Sequence, residues 1–61
     1  MRITTTLNAN GVNGIIRVNG EAMGAYWATS DGKWGVRVDG FPTAVVATRT
    51  AVRAFALSAL S

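Results

Sequence analysis

Few side chains in this chain can do chemistry: Arg2, Arg17, Lys33, Arg37, Arg49 and Arg53 are basic, and Glu21, Asp31 and Asp39 are acidic. Histidine and cysteine are absent, which removes the usual general base, the thiol nucleophile and the ligands of a zinc cluster. Asp31 and Asp39 each precede a glycine, a position where the carboxylate serves a turn. Glu21 has no evident partner. Ser30, Ser58 and Ser61 have no base to act with, and no glycine leads into the Lys-Ser or Lys-Thr of a phosphate loop. The expectation is a protein that is not an enzyme and uses no metal and no cofactor. What remains is anion recognition: a net charge of +3 is a mild bias toward anionic partners, and Arg can fork onto phosphate or guanine.

These groups need a scaffold, and 61 residues, 49% of them hydrophobic, suit one domain spanning 1–61 near the lower limit for a self-sufficient core. Without cysteine no disulfide can staple it, so a well-packed core or self-association must supply the stability. Met1 to Thr6 lack the apolar run of a secretory signal, and the apolar stretch from Ala51 to Leu60 is too short to span a bilayer. A cytoplasmic protein with no membrane partner is expected. Abundant Ala and Val with a single Lys resemble proteins of GC-rich genomes such as those of actinobacteria and their phages.

Asn or Asp precedes Gly at Asn10-Gly11, Asn13-Gly14, Asn19-Gly20, Asp31-Gly32 and Asp39-Gly40, dipeptides that supply the positive φ angles of hairpin turns. Read as two-residue loops, they set strand registers. Asp31-Gly32 would pair Trp27 with Val36 and Tyr26 with Arg37. Asn19-Gly20 would pair Val18 with Glu21, Arg17 with Ala22 and Ile16 with Met23. Asp39-Gly40 would pair Val38 with Phe41 and Trp34 with Val45. These three registers agree on one apolar face holding Ile16, Val18, Met23, Ala25, Trp27, Trp34, Val36, Val38, Phe41 and Val45. For the first connection, Asn10-Gly11 would put Ile3, Thr5 and Leu7 beside Ile16 and Val18, and a longer loop over 9–14 is the alternative.

The expected strands are about 2–8, 12–18, 21–29, 33–38 and 41–47. The first is rich in Thr and the last holds Pro42 near its start, so both read as sheet edges. From Thr48, a candidate N-cap, no Gly or Pro interrupts the chain. Val52, Phe55, Ala56, Ala59 and Leu60 then recur at helical spacing, predicting a helix over about 49–60 with Leu57 at its flank. The fold class is α+β: an antiparallel meander of four or five strands, then one C-terminal helix packed on one sheet face. Five strands span about 19–24 Å and one helix covers about 10 Å. Either the sheet curls strongly or a second copy completes the core, and a homodimer is expected.

By these registers the outward face presents Arg2, Thr4, Thr6, Ile15, Arg17, Tyr26 and Arg37, spaced by Gly24, Ala28 and Gly35. A solvated sheet face carries polar groups whatever its task. Cationic and aromatic groups on a sheet can also reach phosphates and base edges in a major groove. Trp27 and Trp34 are expected in the core. Arg49 and Arg53, four apart on the helix, form a basic ridge that is either solvated or a phosphate grip.

The stretch Tyr26 to Gly40, with its Gly32-Lys33 turn and Trp-bearing strand, is followed by Thr43 and by an Ala-containing helix through Thr48-Arg49-Thr50-Ala51-Val52-Arg53-Ala54-Phe55. Over roughly residues 24–57 this order resembles the arm-type, AP2-like DNA-binding domain of phage and transposon integrases. In that family a three-stranded sheet lies in the major groove. The resemblance implies that Tyr26, Lys33 and Arg37 face DNA, and that the chain is a free-standing DNA-binding accessory or regulatory protein encoded by a phage or mobile element. Arg17 is the further expected contact, with Arg2, Arg49 and Arg53 as phosphate anchors. The open alternatives are a module that binds and modulates a host protein, drawn from the modest net charge, the outward Ile15 and Tyr26 and the free edge of the first strand, and a self-associating structural protein.

Overall fold

In the computed structural model, which describes residues 1–61, positive φ angles occur at Gly11, Gly20, Gly32, Gly40 and, alone among other residue types, Asn19. The expected turns are therefore turns, except Asn13-Gly14, which lies inside a strand. The elements are β1 (Ile3–Leu7), β2 (Asn13–Val18), β3 (Glu21–Ala28), β4 (Trp34–Val38), β5 (Ala44–Val46) and α1 (Arg49–Leu60). The strands form one antiparallel meander in the order β1-β2-β3-β4-β5, and the helix packs on one face of it.

The register of β1 on β2 is the one that Asn10-Gly11 implies: Ile3 faces Val18, Thr5 faces Ile16 and Leu7 faces Gly14. The connection itself takes four residues, 9–12. Asn8 donates its backbone N–H to the Asn13 carbonyl at 2.8 Å, and the Asn10 side chain accepts from Val12 N–H at 3.0 Å. Between β2 and β3, Asn19 at φ 54 and Gly20 at φ 85 form the expected two-residue turn, with Val18 opposite Glu21 and Arg17 opposite Ala22. Paired positive φ angles at both central residues match the right-handed twist of the flanking strands.

Beyond that turn the register departs from the expected one. Ile16 faces Gly24 instead of Met23, so Met23 is an extra residue, a β-bulge that reverses the facing of everything after it in β3. A matching change occurs at the next turn. Asp31-Gly32 belongs to a three-residue loop, 30–32, in which Thr29 N–H donates to the Lys33 carbonyl at 2.9 Å and Gly32 takes φ 83. This places Gly32 at the left-handed bulge position of a three-residue hairpin. Tyr26 thus faces Val36, and Trp27 faces Gly35.

The two changes turn over β3 alone, leaving β2 and β4 facing as expected. Tyr26, expected outside, is 1% exposed in the core, and Trp27, expected inside, lies on the outer face. The β4–β5 connection is also longer than two residues: Val36 faces Ala44, and Trp34 faces Val46. Phe41 N–H closes a turn on the Val38 carbonyl at 2.9 Å, and Pro42 falls in this loop, having no N–H to offer a ladder. Phe41 and Val45, both expected on the apolar face, are 41% and 61% exposed.

The helix begins at Thr48, in extended backbone, whose hydroxyl accepts from Ala51 N–H at 3.2 Å. Val52 and Ala56 are fully buried, with Phe55 and Leu60 packed beside them, as the spacing predicts. The core they join consists of Ile3, Ile16, Tyr26, Val36 and Val38, where each buried aliphatic side chain is worth about 1.5–3 kcal/mol. Trp34 packs against Tyr26 with ring centroids 5.7 Å apart. The helix touches β1 at one sheet edge and β4 and β5 at the other. A 12-residue helix is about 18 Å long, close to the span of five strands, so its length reaches from one edge toward the other. Leu7, Val18, Trp34, Ala44, Val46, Phe55 and Leu60 are partly buried beside this core. No helix is long and apolar enough to cross a membrane.

Candidate functional site

The registers arrange the outer face in rows across the strands. Thr4, Arg17 and Ala22 form one; Thr6, Ile15, Ala25 and Arg37 the next; Asn13, Trp27, Gly35 and Val45 a third. Strand alternation adds Thr29 and Lys33 beyond the third row and Arg2 before the first. Arg2 is held there by its N–H to the Asn19 side chain at 2.9 Å and by Asn19 N–H to its carbonyl at 2.7 Å. Arg2, Thr4, Asn19 and Gly20 line a polar cleft at this end.

Two glycines inside strands decide which ring sits on which face. Tyr26 lies over Gly14 on the inner side, and a Cβ at Gly14 would fall 2.5 Å from the ring's Cζ. Trp27 lies over Gly35 on the outer side, and a Cβ there would collide with the indole at Nε1, Cε2 and Cζ2. Glycine inside a strand commonly marks such a close approach. Gly14 and Gly35 are the signal in the sequence that could have placed Trp27 outward.

The expected site residues therefore divide into three groups. Arg2, Arg17, Lys33 and Arg37 share the outer face; Arg17 is half-buried and the other three are exposed. Tyr26 is withdrawn into the core and cannot touch a ligand, because the Met23 bulge points it inward. Arg49 and Arg53 lie on the helix, on the other side of the sheet, where they line a separate cleft with Thr5, Thr50 and Ala54.

Arg53 has a structural task there: its Nε donates to the Ile3 carbonyl at 3.1 Å. The neighbouring Arg2 carbonyl accepts from Asn19 N–H at the end of β2, so the Ile3 carbonyl faces away from the sheet. A guanidinium on that carbonyl blunts the open edge of β1.

The charges at the outward strand positions are all positive. Glu21 pairs with Val18 in an inward row, and Asp31 and Asp39 sit in turns, so no carboxylate lies in the outward strand positions. Asp31 is engaged locally. The Thr29 hydroxyl donates to its carboxylate, and Thr29 Oγ1 accepts from Lys33 N–H at 3.1 Å. The Thr29 hydrogen bond foremost, with backbone N–H groups and the Lys33 charge, holds the carboxyl below the usual range against the opposing effect of desolvation.

The face can thus bind an anion at several points and offer one large aromatic surface and a few hydroxyl and amide groups between them. No cluster of His, Cys, Asp and Glu that could hold a metal ion is present. Comparison with protein-family models, curated proteins and solved structures finds no match to this chain.

Proposed function

We propose that this is a small DNA-binding accessory or regulatory protein that uses the outer face of its sheet. One observation carries the reading: Arg2, Arg17, Lys33 and Arg37, four of the six basic residues of the chain, share that face with Trp27, and no strand carboxylate does. Asp31 in the β3–β4 turn offsets Lys33, which leaves Arg2, Arg17 and Arg37 without a carboxylate at the outward strand positions beside them; such cations attract a polyanion, and the released counterions make the affinity salt-dependent. Lys33 and Arg37 hold the outward positions that the integrase resemblance implies. Trp27 stands where that resemblance would have Tyr26.

The test is anisotropy of labelled DNA against salt. Four phosphate contacts lower affinity by about 50-fold or more between 50 and 200 mM salt. Arg37→Glu weakens binding with no loss of thermal stability. Unchanged anisotropy at low salt and high protein concentration would end the reading.

A further inference from the structure

We infer that the DNA this face accepts is single-stranded and that Trp27 is the platform on which an unpaired base stacks. The inference rests on the DNA-binding reading above and names the strand state and a contact residue.

The first ground is the chemistry of the ring. An indole has one N–H and no acceptor, and the Nε1 side of Trp27 lies against Gly35. Trp27 therefore has little to offer the hydrogen-bonding base edges of a duplex groove beyond apolar contact with a thymine methyl. Trp27 is partly exposed on the outer face. The exposed part of an aromatic ring lying on a sheet finds its partner in a base whose own face is free, and that requires an unpaired strand.

The second ground is width. The face is five strands across, about 19 Å, and it carries Trp27 on its central strand. A major groove about 12 Å wide takes a helix or a two-stranded ribbon, which leaves much of this sheet outside it. A single strand can instead be laid over the whole face.

Charge placement is the third ground. Along the strand direction Arg17 and Arg37 lie in rows on one side of Trp27 and Lys33 lies on the other. Successive rows are about 7 Å apart. Basic groups therefore flank the ring on both sides, Lys33 with the Asp31 carboxylate near it, and the arginine side is the stronger grip on the backbone while a base lies on the indole. Asn13, Thr6 and Thr29 complete the surface with neutral polar groups, so the binding is tolerant of sequence.

The experiment compares a labelled twelve-residue oligodeoxythymidine with a blunt duplex of equal length, by anisotropy at 50 mM salt. The single strand binds at least about tenfold more tightly; Trp27→Ala removes about tenfold of that affinity, and Trp27→Phe keeps most of it. In Trp34→Phe, where Trp27 is the only tryptophan, the oligonucleotide quenches the fluorescence; this readout needs no alanine variant to fold.

Duplex binding as tight as single-strand binding, or an unquenched Trp27, overturns the inference and leaves the DNA-binding reading standing. Tighter binding of the equivalent oligouridine overturns the choice of DNA over RNA. Binding of neither DNA overturns both.

Discussion

The Tyr26 ring lies across Gly14 of the neighbouring strand, so close that a Cβ on that glycine would sit 2.5 Å from the ring's Cζ and would also collide with the Thr6 carbonyl. Gly14→Ala forces ring or backbone aside in a core with little room to yield. The expected loss is about 3 kcal/mol, which in a domain this small lowers the melting temperature by about 10–20 °C. Thermal melts followed by circular dichroism give the value.

The facing of β3 is tested by truncations that the two-residue registers would rank in the opposite order. Tyr26→Ala costs about 3–5 kcal/mol, a large part of the stability of a chain this size, whereas Phe41→Ala stays within about 0.5 kcal/mol. Urea unfolding of the two variants decides. Equal losses would return Phe41 to the core.

Acid should loosen the β3–β4 turn. The folded pKa of Asp31 is depressed, so its contribution is fully present above the unfolded value of about 3.9 and is lost as pH falls through the lower, folded value. Melting temperatures of the wild type and Asp31→Asn, measured from pH 7 downward, differ at neutral pH in favour of the wild type and converge in strong acid. A gap that persists in acid would show that the turn works without the carboxylate charge.

Arg49 and Arg53, paired by their spacing, separate in their effects. Arg53→Ala loses the bond to the Ile3 carbonyl and costs about 1 kcal/mol, while Arg49→Ala changes stability by less than about 0.5 kcal/mol. Neither alters DNA affinity as Arg37→Glu does, because both stand on the far side of the sheet. A loss of affinity in Arg49→Ala equal to that in Arg37→Glu would extend the interface to the helix.

The N-cap is a separable local device. Thr48→Ala removes the acceptor for Ala51 N–H and costs about 1 kcal/mol, with Thr48→Ser close to wild type. Chemical denaturation of the pair measures it.

Local chemistry was legible wherever one conformation satisfied it. The Asn19-Gly20 turn, the Thr48 cap, the helix over Arg49–Leu60 and the β1–β2 register all follow from residues a few positions apart. The meander and the single helix are consequences of that punctuation, and so is the outward facing of Arg2, Arg17, Lys33 and Arg37. In β3 the local chemistry does not discriminate between the two facings. Residues 22–28, Ala-Met-Gly-Ala-Tyr-Trp-Ala, are apolar or small on both alternations, so either face could be the core.

That choice belonged to the tertiary structure. An Asp-Gly dipeptide serves a two- or a three-residue loop equally well, and a bulge at Met23 costs the chain only one ladder position. Packing selected between them: Tyr26 fits over Gly14 only from the inner side, and Trp27 fits over Gly35 only from the outer side. The sequence by itself determined where the chain turns and which charges the sheet turns outward. Only the assembled sheet, where glycines distant in sequence meet the aromatic rings, decided which ring stands among those charges.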